Sequence, residues 1–185
     1  MSAPGDPGHG PPVVVITGQL SAGKSTVARA LLDHFPLGLH VDVDAIREMV
    51  TAGLASPLEW TEETARQFDL ALTAAAALAG VYQPAGYAVA IEGGVDPPAV
   101  QRAVAGAGLA DHLVGVVLRP RLEIALARNA ARTTKAFDTA VLEPVMRRID
   151  ADLAVCAVPA GWTVIDNSDE LPAATVNRIL AIRRG

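Results

Sequence analysis

One lysine, one serine, three carboxylates and a run of arginines are spaced along this 185-residue chain in a way that suits the handling of phosphate groups. Gly18-Gln-Leu-Ser-Ala-Gly23-Lys24-Ser25 reads G-x-x-x-x-G-K-S, the phosphate-binding loop pattern. Gly18 and Gly23 permit the tight turn, and the backbone N–H groups of Ser21, Ala22, Gly23, Lys24, Ser25 and Thr26 are then expected to face one anion at the start of a helix. Lys24 is placed to reach the β- and γ-phosphates and the Ser25 hydroxyl to ligate Mg²⁺. The chain has only two lysines against thirteen arginines, which sets Lys24 apart.

Transfer of a phosphoryl group needs more than a cradle. It needs a metal, charge neutralisation and a group that orients the acceptor. Asp42-Val-Asp44 follows a short apolar stretch, and alternation sends both carboxylates to one side while they remain strand-like. Asp44 is then the candidate general base for an acceptor hydroxyl, with Asp42 nearer the magnesium and its waters. Asp44 is also well placed to cap the next helix, and the two roles are compatible. Arg121, Arg128, Arg132 and Lys135 fall on one face of a helix expected from about Arg121 to Lys135. Stacked like charges need an anion to satisfy them, and a triphosphate does so; acidic neighbours are the other solution. Glu92, beside Gly93 and Gly94, is a candidate for holding a metal-bound water or a substrate hydroxyl. Trp60 suits stacking on a substrate ring or a half-buried place in the core. None of the four histidines has a partner at metal-ligand spacing, and only His40, near the aspartates, merits attention.

The elements that must position these residues alternate regularly. Strands are expected at Val13–Thr17, Leu39–Val43, Tyr87–Ile91, Leu113–Leu118 and Trp162–Asp166. Each is continuously apolar, as in a parallel sheet covered on both faces. Helices are expected after the phosphate loop, over 44–50, from Thr61 as cap to Pro84, from Asp96-Pro97 onward, over about 121–135, from Pro144 through Cys156, and from Pro172. The fold class is therefore α/β, a three-layer arrangement with a five-stranded parallel sheet. Ligands in such sheets sit at the carboxyl ends of the strands, so Gly18, Asp42 to Asp44, Glu92 to Asp96 and Asp166 to Asp169 should converge.

Composition excludes other classes. A net charge of −5 argues against a nucleic-acid coat, and 51% hydrophobic residues suffice for one well-buried domain over residues 13–185. Residues 1–12, with four prolines and three glycines, read as a flexible tail with no apolar leader. The apolar stretch Leu70–Tyr82 is too short to span a bilayer, so a cytoplasmic location is expected. The single cysteine, Cys156, is expected to pack in the core on a helix.

Val14–Thr26, Val41-Asp-Val-Asp-Ala-Ile-Arg47 and Val116–Arg132, with Val164–Asp169, resemble the small-molecule kinase branch of the P-loop fold. Among these the chain is most similar to chloramphenicol phosphotransferase-like and zeta-toxin-like proteins. The resemblance implies Asp44 as catalytic base, Arg128 and Arg132 as lid arginines on the phosphates within a lid of about 121–140, and Asn167–Asp169 beside the adenine. Asp44, Arg47, Glu92 and Trp60 are expected to face the acceptor. The Asp-x-Asp spacing and Gly93-Gly94 also resemble shikimate kinase, although Arg66 is the only arginine between Ala52 and Ala85 for a carboxylate. The activity expected is ATP- and Mg²⁺-dependent transfer to a hydroxyl of a small molecule such as an antibiotic, a sugar or a sugar-nucleotide. A regulatory protein that binds ATP as a switch is the alternative, because the third strand does not end in an aspartate.

Overall fold

A computed structural model of the protein describes residues 10–93, 96–132 and 139–182. Strand β1 (Val13–Gly18) is the sheet's centre and is buried at every residue. The others are β2 (Gly38–Asp42), β3 (Ala88–Glu92), β4 (Leu113–Leu118) and β5 (Thr163–Ile165). Their order is β2-β3-β1-β4-β5, all parallel. The helices between them are α1 (Lys24–Leu32), α2 (Val43–Arg47), α3 (Glu62–Tyr82), α4 (Pro97–Gly106), α5 (Leu122–Ala130), α6 (Glu143–Val155) and α7 (Pro172–Ile182). Two short 3-10 turns, Ala110–His112 and Thr139–Leu142, were not legible as separate elements in the sequence.

Alternation along β1 builds two cores. Val13 and Val15 face the layer of α3 and α4, with Ala71, Ala75, Ala79, Val100 and Val104. Val14 and Ile16 face α1 and α7, with Val27, Leu31, Val176 and Ile179. Each fully buried branched side chain contributes about 1.5–3 kcal/mol. The expected three-layer α/β architecture with a five-stranded parallel sheet is what the chain adopts. Helix α3 begins as expected at Thr61, whose hydroxyl accepts from the Thr64 amide while Thr64 returns the contact, a reciprocal capping box. Asp96 caps α4, with Pro97 in its first turn.

Several boundaries differ from the sequence reading. Strand β2 ends at Asp42, and α2 spans Val43–Arg47, so Asp44 is helical and Asp42 is the N-cap. Pairing in register with β3, Asp42 opposite Glu92, stops the strand there. Strand β3 is shifted one residue later than expected, and β5 keeps three residues of five. Cys156 is not a core residue: it follows α6 as C-cap, partly exposed, with its thiol 3.9 Å from Asp96 Oδ1. Helix α5 ends at Ala130, and Lys135 and Gly94 lie outside the described residues. Of the expected tail, residues 1–9 also lie outside them, whereas the Pro11 and Pro12 carbonyls accept from Gln83 and from the Val89 amide.

Trp162 lies against β4 because Gly115 has no side chain: a Cβ there would stand 2.1 Å from the indole. Gly115→Ala is expected to destabilise the protein by about 1–3 kcal/mol in chemical unfolding, as overpacking does. Adding Trp162→Ala should relieve that clash, so that the double variant is less destabilised than the sum of the two single changes.

Candidate functional site

The loop after β1 turns where only glycine fits. Gly18 has φ +122°, and a Cβ there would fall 2.1 Å from the Leu118 carbonyl oxygen of β4. The Gln19 amide donates to that same oxygen at 3.0 Å, so β1 leaves the sheet locked to its neighbour. Ser21 (φ +57°) and Gly23 (φ +87°) then carry the chain through left-handed conformations into α1. That helix has no side-chain N-cap and no acid in its first turn, which leaves its amino end to attract an anion. Lys24 bends back over the loop, its Nζ 3.0 Å from the Gln19 carbonyl and 3.5 Å from that of Gly18.

Asp42 and Asp44 do not share a strand face. Asp42 Oδ1 accepts from the amides of Asp44 (2.9 Å) and Ala45 (3.2 Å), so the capping role expected for Asp44 belongs to Asp42. This commits one Asp42 oxygen to the backbone and leaves the Asp44 carboxylate open to the cleft. Asp44 is exposed to the cleft yet flanked by protein, and desolvation by those neighbours raises its carboxyl above the ordinary value. Lys24 opposes that rise and the charges of Asp42 and Glu92 add to it.

Glu92, 4% exposed at the end of β3, is not an unpaired carboxylate. His40 Nε2 on β2 stands 3.5 Å from its Oε1, without the alignment of a good hydrogen bond. Burial pushes the Glu92 carboxyl up, but His40, the Ser25 hydroxyl and the charge of Lys24 outweigh it, and the net direction is down. Burial in turn lowers the Lys24 ammonium, opposed by Glu92, Asp44 and Asp42, while Arg132 pushes it further down. Lys24, Asp44, Glu92 and Ser25 therefore form one electrostatic unit. Gly93 (φ +118°) packs its bare backbone on Val43, with room for a Cβ only 2.9 Å from the valine.

The arginine face of α5 is divided among partners that periodicity did not show. Arg121 precedes the helix and binds Asp169 twice (2.8 and 2.9 Å) and Glu123 (3.1 Å). Arg128 donates to the carbonyls of Asn167 (2.9 Å) and Ser168 (3.2 Å). Both thus hold the loop after β5, and acidic and carbonyl neighbours answer much of the charge assigned to a triphosphate. Arg128 and Arg132 nevertheless line the cleft. Asn167 lines it too, and its side-chain amide donates to the Ala22 carbonyl at 2.9 Å, tying the loop after β5 to the phosphate loop.

The cleft encloses about 1150 Å³ and runs from Asn167 and Pro172 past the phosphate loop to Trp60, Phe68 and Asp96. Trp60, half exposed, stacks on Phe68 with centroids 5.4 Å apart, and the Arg47 guanidinium lies 4.7 Å above the other ring system. The sequence reading missed Phe68, Gln19 and Asn129. Gln19 donates to the Met146 carbonyl of α6 (3.1 Å) and caps the Leu20 amide (2.8 Å). Asn129 contacts Ser21 (3.4 Å) and exchanges hydrogen bonds with Thr139 (2.8 and 3.0 Å). For Gln19 and Asn129 the available signal was a polar residue at an interior position.

Among the described residues no group of three or more histidine, cysteine or acidic side chains is arranged to hold a metal, and no helix is long and apolar enough to cross a membrane. No significant match exists among curated proteins. A sugar kinase from Janibacter sp. superposes with a TM-score of 0.68 at 18% identity, over 94% of this chain and 95% of that one. Shikimate kinase from Bacteroides thetaiotaomicron gives 0.65 at 14% identity, over 94% and 99%. A tunicamycin resistance protein from Deinococcus radiodurans gives 0.63 at 18%, over 92% and 94%. These likenesses establish a fold shared with P-loop kinases of small molecules. The sequence of residues 13–155 matches the family described as AAA domain, and the chain belongs to that family.

Proposed function

We propose that the protein is an ATP-dependent phosphotransferase acting on a hydroxyl of a small molecule. The observation that carries this reading is the meeting of Lys24, Ser25, Asp44 and Glu92 at one end of the sheet, beside an uncapped helix start and inside a cleft with room for two ligands. A hydrolase needs beside the cradle only a group that orients water, whereas an open carboxylate facing an apolar, aromatic-walled extension suits a second substrate. The kinases that share the fold, and the resemblance to chloramphenicol phosphotransferase-like and zeta-toxin-like proteins, support the same reading.

The residues present fit a magnesium nucleotide. The backbone from Ser21 to Thr26 with Lys24 would hold the phosphates, Ser25 the cation, and Asn167 with Pro172 the base end of the cleft. Glu92, beside Ser25, is better disposed than Asp42 to hold the cation's water, because Asp42 caps α2. When bound, ATP with Mg²⁺ supplies the γ-phosphoryl group, which joins the acceptor oxygen as its bond to the bridging oxygen breaks and ADP leaves. Asp44 accepts the hydroxyl proton, and its raised affinity for a proton suits that task better than an ordinary aspartate. Lys24 and Arg132 meet the negative charge that shifts during transfer.

The decisive assay is γ-phosphate transfer from ATP to a panel of hydroxylated antibiotics, sugars, sugar-nucleotides and nucleosides. Asp44→Asn is expected to lower turnover about 10²–10⁴-fold while nucleotide binding persists; full transfer by that variant would remove Asp44 as the base. Lys24→Ala should reduce turnover by at least about 10²-fold, more than it reduces nucleotide affinity. Arg132→Ala and Arg121→Ala should part company. The first is expected to lower turnover about tenfold or more with an unchanged melting midpoint, the second to lower the midpoint first, since Arg121 holds Asp169.

A further inference from the structure

Residues 51–60 carry Pro57, Leu58 and Trp60 to the cleft, yet little of their own structure holds them there. They form no helix or strand, and all are exposed except Ala55, which is half-buried. Among the described residues, none from 51 to 60 takes part in a hydrogen bond between backbone groups. A segment with so little burial and no ladder sits at the low end of local stability, and opens readily unless side chains fasten it.

Three side chains fasten it. Arg47 Nη1 donates to the Ala55 carbonyl at 2.9 Å, and the Thr64 hydroxyl lies 3.2 and 3.1 Å from the carbonyl oxygens of Ser56 and Glu59. Gln67 makes the most complete grip: its Oε1 accepts from the Ala55 amide at 3.0 Å, and its Nε2 donates to the Gly53 carbonyl at 2.8 Å. A primary amide that meets a carbonyl and an amide two residues apart stands in for the peptide group of a neighbouring strand. The same Nε2 donates to Glu63 Oε1 at 2.8 Å, and Arg66 holds Glu63 in turn at 2.7 and 2.8 Å, so the Gln67 amide is fixed in one orientation. Gln67 is 4% exposed and does not line the cleft, whereas its neighbour Phe68 does, and stacks on Trp60. One turn of α3 thus supplies both the ring on which Trp60 rests and the amide that holds the chain leading to it.

We propose that Gln67 is a positioning residue for the acceptor: it fastens residues 53–60 to α3 and so sets where Leu58 and Trp60 stand relative to Asp44, without touching the acceptor itself. This rests on the phosphotransferase reading and assigns the residue that shapes its acceptor side. Ala55 is the point where wall and base are joined, since Gln67 holds its amide from α3 while Arg47, one turn after Asp44 on α2, holds its carbonyl. Removing Gln67 loosens the wall more than the fold, because Gly53 is exposed and Ala55 half-buried, and water replaces the side chain at both once the segment lifts.

The test reads the wall itself, in the full chain labelled with fluorotryptophan. Trp60 and Trp162 are the only tryptophans, and the Trp60 fluorine resonance is assigned by its loss in Trp60→Phe. Gln67→Met keeps the length of the side chain and removes its hydrogen bonds. It is expected to shift the Trp60 resonance toward that of the unfolded chain, while the resonance of Trp162, packed against Gly115, and the melting midpoint hold. An unmoved Trp60 overturns the proposal, and so does movement of both resonances with a lowered midpoint, the mark of a merely structural residue. Gln67→Glu, which when ionised still accepts from Ala55 but cannot donate to Gly53, should move Trp60 part of the way, and decides the matter should Gln67→Met fail to fold. Transfer from ATP to chloramphenicol, glucose and uridine separates the proposal from the reading beneath it. For a compound that wild type phosphorylates, Gln67→Met should raise KM about tenfold or more, with kcat and the KM for ATP within about twofold. An unchanged acceptor KM leaves a kinase without this positioning role, whereas a shifted Trp60 with no transfer to any hydroxyl by wild type leaves the fastening and removes the kinase.

Discussion

Everything at the site depends on how β1 ends. Four buried branched residues carry the chain up the middle of the sheet, and at Gly18 it must leave without drawing away from β4. A side chain there would collide with the Leu118 carbonyl, and the next amide hydrogen-bonds to that same oxygen. The exit direction of the phosphate loop is thereby set by the backbone of a neighbouring strand, not by contacts within the loop. A loop of five residues between two such rigid elements has little freedom left, so its amides are held in fixed directions.

The same rigidity is reinforced from three other directions. Gln19 reaches α6, Ser21 reaches Asn129 on α5, and Ala22 receives Asn167 from beyond β5. Each of these partners also belongs to the wall of the cleft or to the element behind it, so the loop and the Asn167 end of the cleft are parts of one hydrogen-bonded frame. Arg128 and Arg121 extend that frame by holding the carbonyls and carboxylate of the loop after β5. Left-handed backbone at Ser21, a residue with a side chain, is the kind of local strain that such a frame supports.

How much was legible in the sequence follows from the range of the forces involved. The phosphate loop, the five strands and the caps at Thr61 and Asp96 are encoded within a few residues, and composition with periodicity exposes them. Asp42 and Asp44 show the limit of that logic. Either suits an N-cap, and what chose Asp42 was the register of β2 on β3, a contact between residues fifty apart. The arginine face of α5 shows the same limit, because helical periodicity gives the side on which charges lie but not that Asp169 waits opposite Arg121. Phe68 was passed over inside an alanine-rich helix, since stacking with Trp60 and Arg47 exists only once the intervening segment folds back.

The charges at the sheet's end follow an order that stability alone does not explain. Lys24 and Glu92 are desolvated by the fold, and each favours the charged form of the other across the loop. Asp44, a third member, is driven the opposite way, toward holding a proton. A cluster optimised for stability would pair its carboxylates directly or replace them with apolar groups of like size, which is often neutral or favourable by about 1–4 kcal/mol. Here the carboxylate least satisfied is the one most open to the cleft, and the best satisfied is the most buried. That gradient, from a fixed Glu92 through a shared Lys24 to an unsettled Asp44, places proton affinity where a ligand can reach it, as separation of pKa values does at sites that move protons.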